Sequence, residues 1–413
     1  QDPVVLAAVR TAVGKAPRGT LRATRADEMA AAVLTAALDR VPGLEPAAVD
    51  DVILGCAFPE GPQGMNVARI AALRAGLPES VPAMTVNRFC ASGLQSIAQA
   101  AERIASGQAT AILAGGAESM SLVPMGGERF LPNPELVELR PGVYLNMGLT
   151  AERLVDEYAI TREMQDAFAA ASHAKAVAAI AAGRFADEIV PLTVRRRPPP
   201  AAGGGGTAEA DGTAVAPRVE ETTFAVDEGP RADTSVEALA RLKPVFKQHG
   251  TVTAGNASQT SDGAAVAVVA AAGLAAELGL RPLAWLRGYA VAGVAPERMG
   301  IGPVEAIPRV LEPLGLTLDD IDLFELNEAF AAQALAVLRE LRIPEEKVNP
   351  NGGAVALGHP LGATGAKLTV SLLHEMQRRQ VRYGVVSMCV GGGMGAAAVF
   401  ERFEGPAARR SAS

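Results

Sequence analysis

The sequence predicts an α/β protein with two similar layered halves and a different segment between them. Three observations carry that expectation. Short apolar runs alternate with stretches of helical periodicity. A chain of 413 residues is too long for one ordinary core. Two blocks also recur at nearly equal offsets. Val49-Asp50-Asp51-Val52-Ile53-Leu54 resembles Leu318-Asp319-Asp320-Ile321-Asp322-Leu323, and the apolar run before Gly115-Gly116 resembles the run before Gly391-Gly392. The first half is expected in residues 1–120 and 251–278, the middle segment in 121–250 and the second half in 279–413.

Taken in order, Pro3 to Val9 reads as a strand, and Asp27 to Leu38 as a helix with Met29, Val33 and Leu34 on one face. Val52 to Leu54 is a short buried strand. Ala83 to Asn87 is another, followed by a helix in which Leu94, Ile97, Ala98, Ala101 and Ile104 recur at helical spacing before Gly107 stops it. Ala111 to Leu113 reads as a strand ending in Gly115-Gly116. In the middle segment, Thr161 to Ile180 is strongly helical. The run Arg195 to Gly206, with three prolines and four glycines, reads as a mobile surface loop; the glycines make no phosphate loop, because no Gly-Lys-Ser/Thr follows. In the last third, Ile321 to Glu325 is strand-like, Asn327 opens a helical run through Leu338, and Tyr383 leads an apolar strand to Cys389.

The net charge of −7 argues against a general nucleic-acid or anionic-membrane surface. Three cysteines make no disulfide scaffold and fit a reducing compartment. The longest charge-free apolar run, Gly263 to Ala276, falls short of the roughly 20 residues of a membrane span. No charged segment followed by an apolar one opens the chain, so a cytoplasmic location is expected. No Cys-x-x-Cys or His-x-x-x-His spacing offers a metal site.

Reactive side chains fall in turns. Cys90, in Asn87-Arg88-Phe89-Cys90-Ala91-Ser92-Gly93, is expected at a strand-to-helix turn. There the helix dipole and free N–H groups would lower a thiol pKa from about 8.5 toward neutrality. A small buried hydrophobe is the competing reading. His359 stands before Pro360 in a glycine-rich block from Asn351 to Gly365, where a ring can serve as base or oxyanion donor, or merely cap. Cys389 runs into Gly391-Gly392-Gly393, whose N–H groups suit an oxyanion hole. Asn327 reads as a helix cap, or as an amide that orients a water or a substrate oxygen. His173, His249 and His374 read as structural.

Four blocks together resemble the thiolase family, in its order and over nearly the whole chain: Asn87 to Gly93, Asn327-Glu328-Ala329-Phe330, Asn351 to Gly365 and Cys389 to Gly395. The resemblance implies a layered α-β-α-β-α core of two duplicated halves, with an inserted loop domain that holds coenzyme A. It implies reversible cleavage of 3-ketoacyl-CoA by CoA. Cys90 would be the nucleophile activated by His359, and Cys389 the acid that protonates the enolate of acetyl-CoA. His359 and a water on Asn327 would hold one oxyanion, and the N–H groups of Cys90 and Gly391 the other. CoA is then a substrate, with no permanently bound cofactor, and a homodimer or homotetramer is expected.

By the same resemblance Ser258, in Asn256-Ala257-Ser258, contacts the pantetheine arm, and Arg231 lies near the adenine nucleotide. Asn146 and Met147 line the acyl pocket, and Ala329 and Phe330 of the asparagine block are assigned to substrate contact. Thiolases specific for acetoacetyl-CoA carry a histidine where this chain has Asn146, and Gln259-Thr260-Ser261-Asp262-Gly263 looks more like the degradative branch. A biosynthetic acetoacetyl-CoA thiolase and a non-catalytic thiolase-like lipid-binding protein are the alternatives. A ketoacyl synthase would not carry Cys389.

Overall fold

Strand β1 (Pro3–Thr11) and helix α1 (Ala26–Asp39) open the chain, followed by β2 (Asp51–Gly55), α2 (Val67–Arg74), β3 (Ala83–Val86), α3 (Ser92–Ala105) and β4 (Ala111–Ser119). This computed structural model describes residues 1–196 and 220–404, so the proline- and glycine-rich stretch lies outside the described residues. Helices α4 (Met147–Tyr158) and α5 (Arg162–Ala181) belong to the middle segment. After it come β5 (Ser261–Ala271), β6 (Ala284–Gly293), α6 (Gly302–Leu311), β7 (Leu323–Leu326), α7 (Ala331–Leu341), α8 (Leu361–Arg379), β8 (Tyr383–Val390) and β9 (Met394–Arg402).

These strands form one sheet in the order β7-β8-β9-β6-β1-β5-β4-β2-β3. The order is mirrored about its centre. In the first half β2 and β4 are parallel, β4 and β5 antiparallel, and β5 and β1 antiparallel. In the second half β7 and β8, β8 and β9, and β9 and β6 repeat those three relations. The halves join through an antiparallel pairing of β1 with β6, Val4 opposite Trp285. Even the flank corresponds: β3 runs parallel to β2, and Val348 makes a parallel bridge to Phe324 of β7. Of the repeated blocks, the runs before Gly115-Gly116 and Gly391-Gly392 are the matching strands β4 and β8. Val49 to Leu54 lies largely on β2, whereas Leu318 to Leu323 forms a 3-10 turn, Leu318–Asp320, that leads into β7.

Layering follows from which faces are apolar. One core lies between α1, α2 and the first half of the sheet, and another between α6, α7 and the second half. Between them, α3 and α8 pack together against the inner faces of both halves. Leu94, Ile97, Ile104, Leu368, Leu372 and Met376 share a core there with Ile53, Ile112, Val386 and Phe400. This helix pair approaches closely because Gly93 and Gly365 face the opposite helix. A Cβ on Gly93 would stand 2.8 Å from the Ala366 nitrogen, and one on Gly365 would meet the backbone of Leu94.

The middle segment is tied to β1 by ion pairs. Arg10 on β1 is 1% exposed and donates to Glu188 (2.6 Å) and, through both terminal nitrogens, to Asp227 (2.8 and 2.9 Å). Such a bidentate buried pair needs all its partners in place, because removing one leaves an uncompensated charge. Caps set the helix starts: Asn146 Oδ1 accepts from Gly148 N (2.9 Å) and Thr161 Oγ1 from Met164 N (3.3 Å).

Two expectations are corrected. β4 does not end at Gly115-Gly116 but continues to Ser119, Gly116 letting the N-terminus of α8 approach at Gly362 and Gly115 letting β5 approach at Ala265. Asn327 caps no helix. Phe330 is extended (φ −144°) and bridged to Ala257, so α7 starts at Ala331.

Candidate active site

Cys90 sits in a single 3-10 turn, Phe89–Ala91, between β3 and α3. The turn is tightly pinned: Asn87 Oδ1 accepts from Phe89 N (2.8 Å), Ser92 Oγ accepts from Arg88 N (2.8 Å), and the same hydroxyl donates to Phe89 O (2.7 Å). Phe89 is held at φ +42°, a conformation that costs a non-glycine residue roughly 1–3 kcal/mol and is characteristic of functional turns. Cys90 as a residue is partly exposed, but its thiol is desolvated and receives the N–H groups of Cys90 itself and of Gly391.

Gly391 belongs to the turn joining β8 to β9, in which Gly392 and Gly393 have φ of +82° and +83°. Cys389, two residues earlier, is fully buried and close enough to Cys90 for the two to interact electrostatically. Its surroundings are apolar: Ala151, Met299, Ala329, Phe330 and, packed against them, Met147 and Phe246.

His359 lies between a helical turn, Ala354–Leu357, and α8. Its N–H reaches Gln259 O and Ser261 Oγ, both at 3.1 Å. Its ring is bracketed: Nδ1 is 2.6 Å from Thr364 Oγ1, and Nε2 is 3.3 Å from Asn327 Nδ2. An amide nitrogen can only donate, so Nε2 accepts; Nδ1 therefore carries the proton and donates to Thr364. Nε2 is the basic nitrogen. Burial first, and then the charge of Lys367, lowers the His359 pKa to about 3. Leu361, at the start of α8, shares an apolar cluster with Ala57 and Met120, against which Cys90 packs, so the histidine and cysteine blocks meet.

The electrostatics correct one expectation. The Cys90 thiol is not shifted toward neutrality but raised to about 11. Desolvation outweighs the two N–H donors, and Glu118 adds negative charge nearby. Glu118 is buried, accepting from Ala57 N (2.7 Å), Gly362 N (2.8 Å) and Gln63 Nε2 (2.5 Å), and it knits the Cys56–Phe58 loop to the start of α8. Burial also raises Cys389, further than Cys90. Neither thiol rests as a thiolate at neutral pH, so a nucleophile here requires a base.

Among the other expected site residues, Met147, Ala329 and Phe330 form the apolar wall at Cys389. Ser258 is half-buried beside them, its N–H donating to Ala329 O (3.0 Å). Asn146 is exposed and spends its side-chain oxygen on capping α4. Arg231 is exposed at the end of the stretch held by Gly229 against Gln259, its own N–H donating to His173 Nδ1 (3.1 Å); that confirms the structural reading of His173. Asn327 Oδ1 is buried and unpaired among the described residues, beside the histidine ring, and such an acceptor calls for a partner. Thr364, Glu118, Glu325 and Lys367 were not singled out in the sequence. A Thr three positions before a Lys on an otherwise apolar helix face was the available signal. No group of potential metal ligands occurs among the described residues, and no described helix is long and apolar enough to cross a membrane.

Comparison with known proteins places these features in a family. The thiolase N-terminal domain model matches residues 3–273 and the thiolase C-terminal domain model matches residues 280–402. A 3-ketoacyl-CoA thiolase of Bacillus subtilis is 53% identical over 97% of this chain and 99% of its own length. An acetyl-CoA acetyltransferase of Pseudomonas aeruginosa is 48% identical over 97% of this chain and all of its own length. The crystal structure of the Bacillus anthracis acetyl-CoA acetyltransferase superimposes with a TM-score of 0.85 at 44% identity, covering 97% of this chain and 99% of that one.

Proposed function

The chain belongs to the thiolase family, and from that premise we propose that it is an acyltransferase cleaving 3-ketoacyl-CoA with CoA to acetyl-CoA and a shortened acyl-CoA. The observation that carries this reading is that two thiols from distant blocks interact, and that Cys90 packs on a cluster with Leu361, two residues beyond a neutral, bracketed imidazole. In the proposed sequence the Cys90 thiol gives its proton to His359 Nε2 as its sulfur attacks the 3-keto carbon. The resulting oxyanion takes a hydrogen bond from the newly protonated Nε2 and from a water on the unpaired Asn327 Oδ1. Collapse breaks the bond between C2 and C3, and the enolate of acetyl-CoA takes the proton of Cys389. CoA, giving its thiol proton to the Cys389 thiolate, then attacks the acyl-cysteine, whose thioester oxygen faces the N–H groups of Cys90 and Gly391. The Cys90 sulfur leaves as the acyl-CoA forms and takes back its proton from His359.

This assignment of the two thiols follows their settings. Cys90, with two N–H donors, is the more easily ionised; Cys389, buried among apolar side chains, keeps its proton for transfer. CoA is a substrate, with Ser258 facing the pantetheine arm, Arg231 the nucleotide, and Met147, Ala329 and Phe330 the acyl group. Asn146, whose side chain turns back to cap α4, leaves the lip of that pocket without an imidazole. A cytoplasmic enzyme acting as a homodimer or homotetramer is the accompanying reading.

Relatives named acetyl-CoA acetyltransferase make the four-carbon reaction the second reading. Acyl-chain profiling separates the two. A buried methylene is worth up to about 0.8 kcal/mol, so an open pocket favours 3-ketohexanoyl- to 3-ketodecanoyl-CoA over acetoacetyl-CoA by roughly tenfold or more in kcat/KM. CoA-dependent loss of 3-ketoacyl-CoA absorbance measures this, and activity confined to the four-carbon substrate rejects the degradative reading.

A further inference from the structure

Behind the His359 ring, β7 and α8 each present two polar side chains toward the other. Residues two apart along a strand share a face, as do residues three apart on a helix. Glu325 and Asn327 therefore form one such pair, and Thr364 and Lys367 the other. Asn327 and Thr364 hold the two ring nitrogens of His359. The other members of the two pairs, Glu325 and Lys367, are each nearly inaccessible (2% and 3% exposed).

Lys367 Nζ lies 3.4 Å from Gly358 O, the carbonyl of the peptide that leads into His359. The N–H of that same peptide is held by Gln259 O and Ser261 Oγ. The backbone that aims the ring is thus gripped at both ends. Charged groups face Lys367 from every side: Glu325 on β7, Arg10 on β1, Glu188 before the strand Ile189–Val190, and Asp227 after the strand Glu220–Phe224. Of the carboxylates, Asp227 raises the Lys367 pKa most and Glu325 and Glu188 less, while Asp227 and Glu188 are also held by Arg10 at hydrogen-bond distance.

We propose that Lys367 is a positioning residue for the His359 base: its ammonium, set among the carboxylates of Asp227, Glu325 and Glu188, holds the Gly358 carbonyl and places a positive charge behind the imidazole. The proposal rests on the reading of His359 as the base. Its consequence is a ring that stays neutral well below ordinary histidine pH, and that gives up readily the proton it takes from Cys90. The directions of titration agree. After burial, Lys367 is the next cause of the lowered His359 pKa, and burial raises Glu325 to about 8 while Lys367 pulls it down. Burial, and then Arg10, also lower Lys367 itself, against Asp227, Glu325 and Glu188, which raise it.

The test is the pH profile of kcat/KM for thiolysis in wild type, Lys367→Met, Lys367→Gln and Lys367→Arg, with His359→Asn as control. Lys367→Gln keeps a donor for Gly358 without the charge. Both uncharged variants are expected to lose about tenfold or more in kcat, with the acid side of the profile displaced upward by about one pH unit or more. Lys367→Arg should restore the wild-type acid side and most of kcat. An unmoved acid side with kcat within about twofold in either uncharged variant overturns the proposal, as does an arginine variant displaced as far as the methionine one. If neither uncharged variant folds, nitrogen-15 spectra of wild-type histidines decide. The ring that disappears in His359→Asn should remain neutral near pH 5, and titration near the ordinary 6.5 overturns the proposal. Near-normal turnover in His359→Asn would instead remove the base reading, whatever Lys367 does.

Discussion

Two cysteines in one site carry the same functional group, and their neighbours make them different. Cys90 is stabilised as an anion by the N–H groups of Cys90 and Gly391, whereas Cys389 sits among Ala329, Phe330 and Met299. Cys90→Ala should therefore abolish acylation by acetyl-CoA, while Cys389→Ala still acylates but turns over very slowly. Intact-mass spectrometry reads the adduct, and an acetyl group retained by the Cys90 variant rejects the assignment. His359 also links the site to stability. Its folded-state pKa of about 3 lies below the ordinary 6.5, so the native state binds fewer protons in that window, and stability falls as pH drops below 6.5. His359→Asn removes this titration and should lose about 2 kcal/mol less than wild type between pH 6.5 and 5, at up to about 1.4 kcal/mol per pH unit. Urea unfolding at the two pH values checks it; equal losses would place the ring's titration elsewhere.

Matching elements bring the residues together. Cys90 precedes α3 and His359 precedes α8, and these corresponding helices pack at the centre of the molecule. Their spacing depends on Gly93 and Gly365. Gly365→Ala should cost about 1–3 kcal/mol by overpacking, seen as a lower urea midpoint, and should reduce kcat by moving His359 relative to Cys90. Loss of neither would show that the helix pair tolerates separation. The elements that carry Cys90, His359 and Cys389 were legible in the sequence because each lies in or beside a turn next to an unmistakable apolar run, although Cys389 itself is the next-to-last residue of β8 and not part of the turn. The Asn327 cap reading failed for a tertiary reason: the residues after it are drawn into a bridge with Ala257 before the helix begins. Lys367 and Glu325 escaped notice because their partners are distant in sequence, and a lysine on a helix ordinarily marks the solvent face. The expected lowering of the Cys90 pKa failed because its own turn and the glycine turn after β8 supply one N–H donor each but no solvent.

At the scale of the whole molecule, the mirrored sheet has two unlike ends. At β7 the last strand is flanked by the bridge from Val348, and Phe324 is buried there. At the other end β3 is an edge strand, its residues half-buried, and α2 beside it exposes Ile70 (45%) and Leu73 (43%). Phe89, three residues beyond β3 and next to Cys90, is also exposed. Among the described residues nothing covers this edge, and an edge bordered by apolar side chains is an open template for pairing. A second copy of the chain is the occupant we propose: the same edge presented twice makes a self-complementary interface about a two-fold axis. Such an interface would bury more than about 1,200 Å² to be stable, and it would brace the Cys90 turn from outside. Ile70→Glu with Leu73→Glu should therefore convert a dimer to a monomer in light scattering and lower kcat, although neither residue lines the site. A wild-type protein that is monomeric at micromolar concentration, or a double variant with unchanged mass, would return this edge to solvent and leave the Cys90 turn supported by its own hydrogen bonds alone.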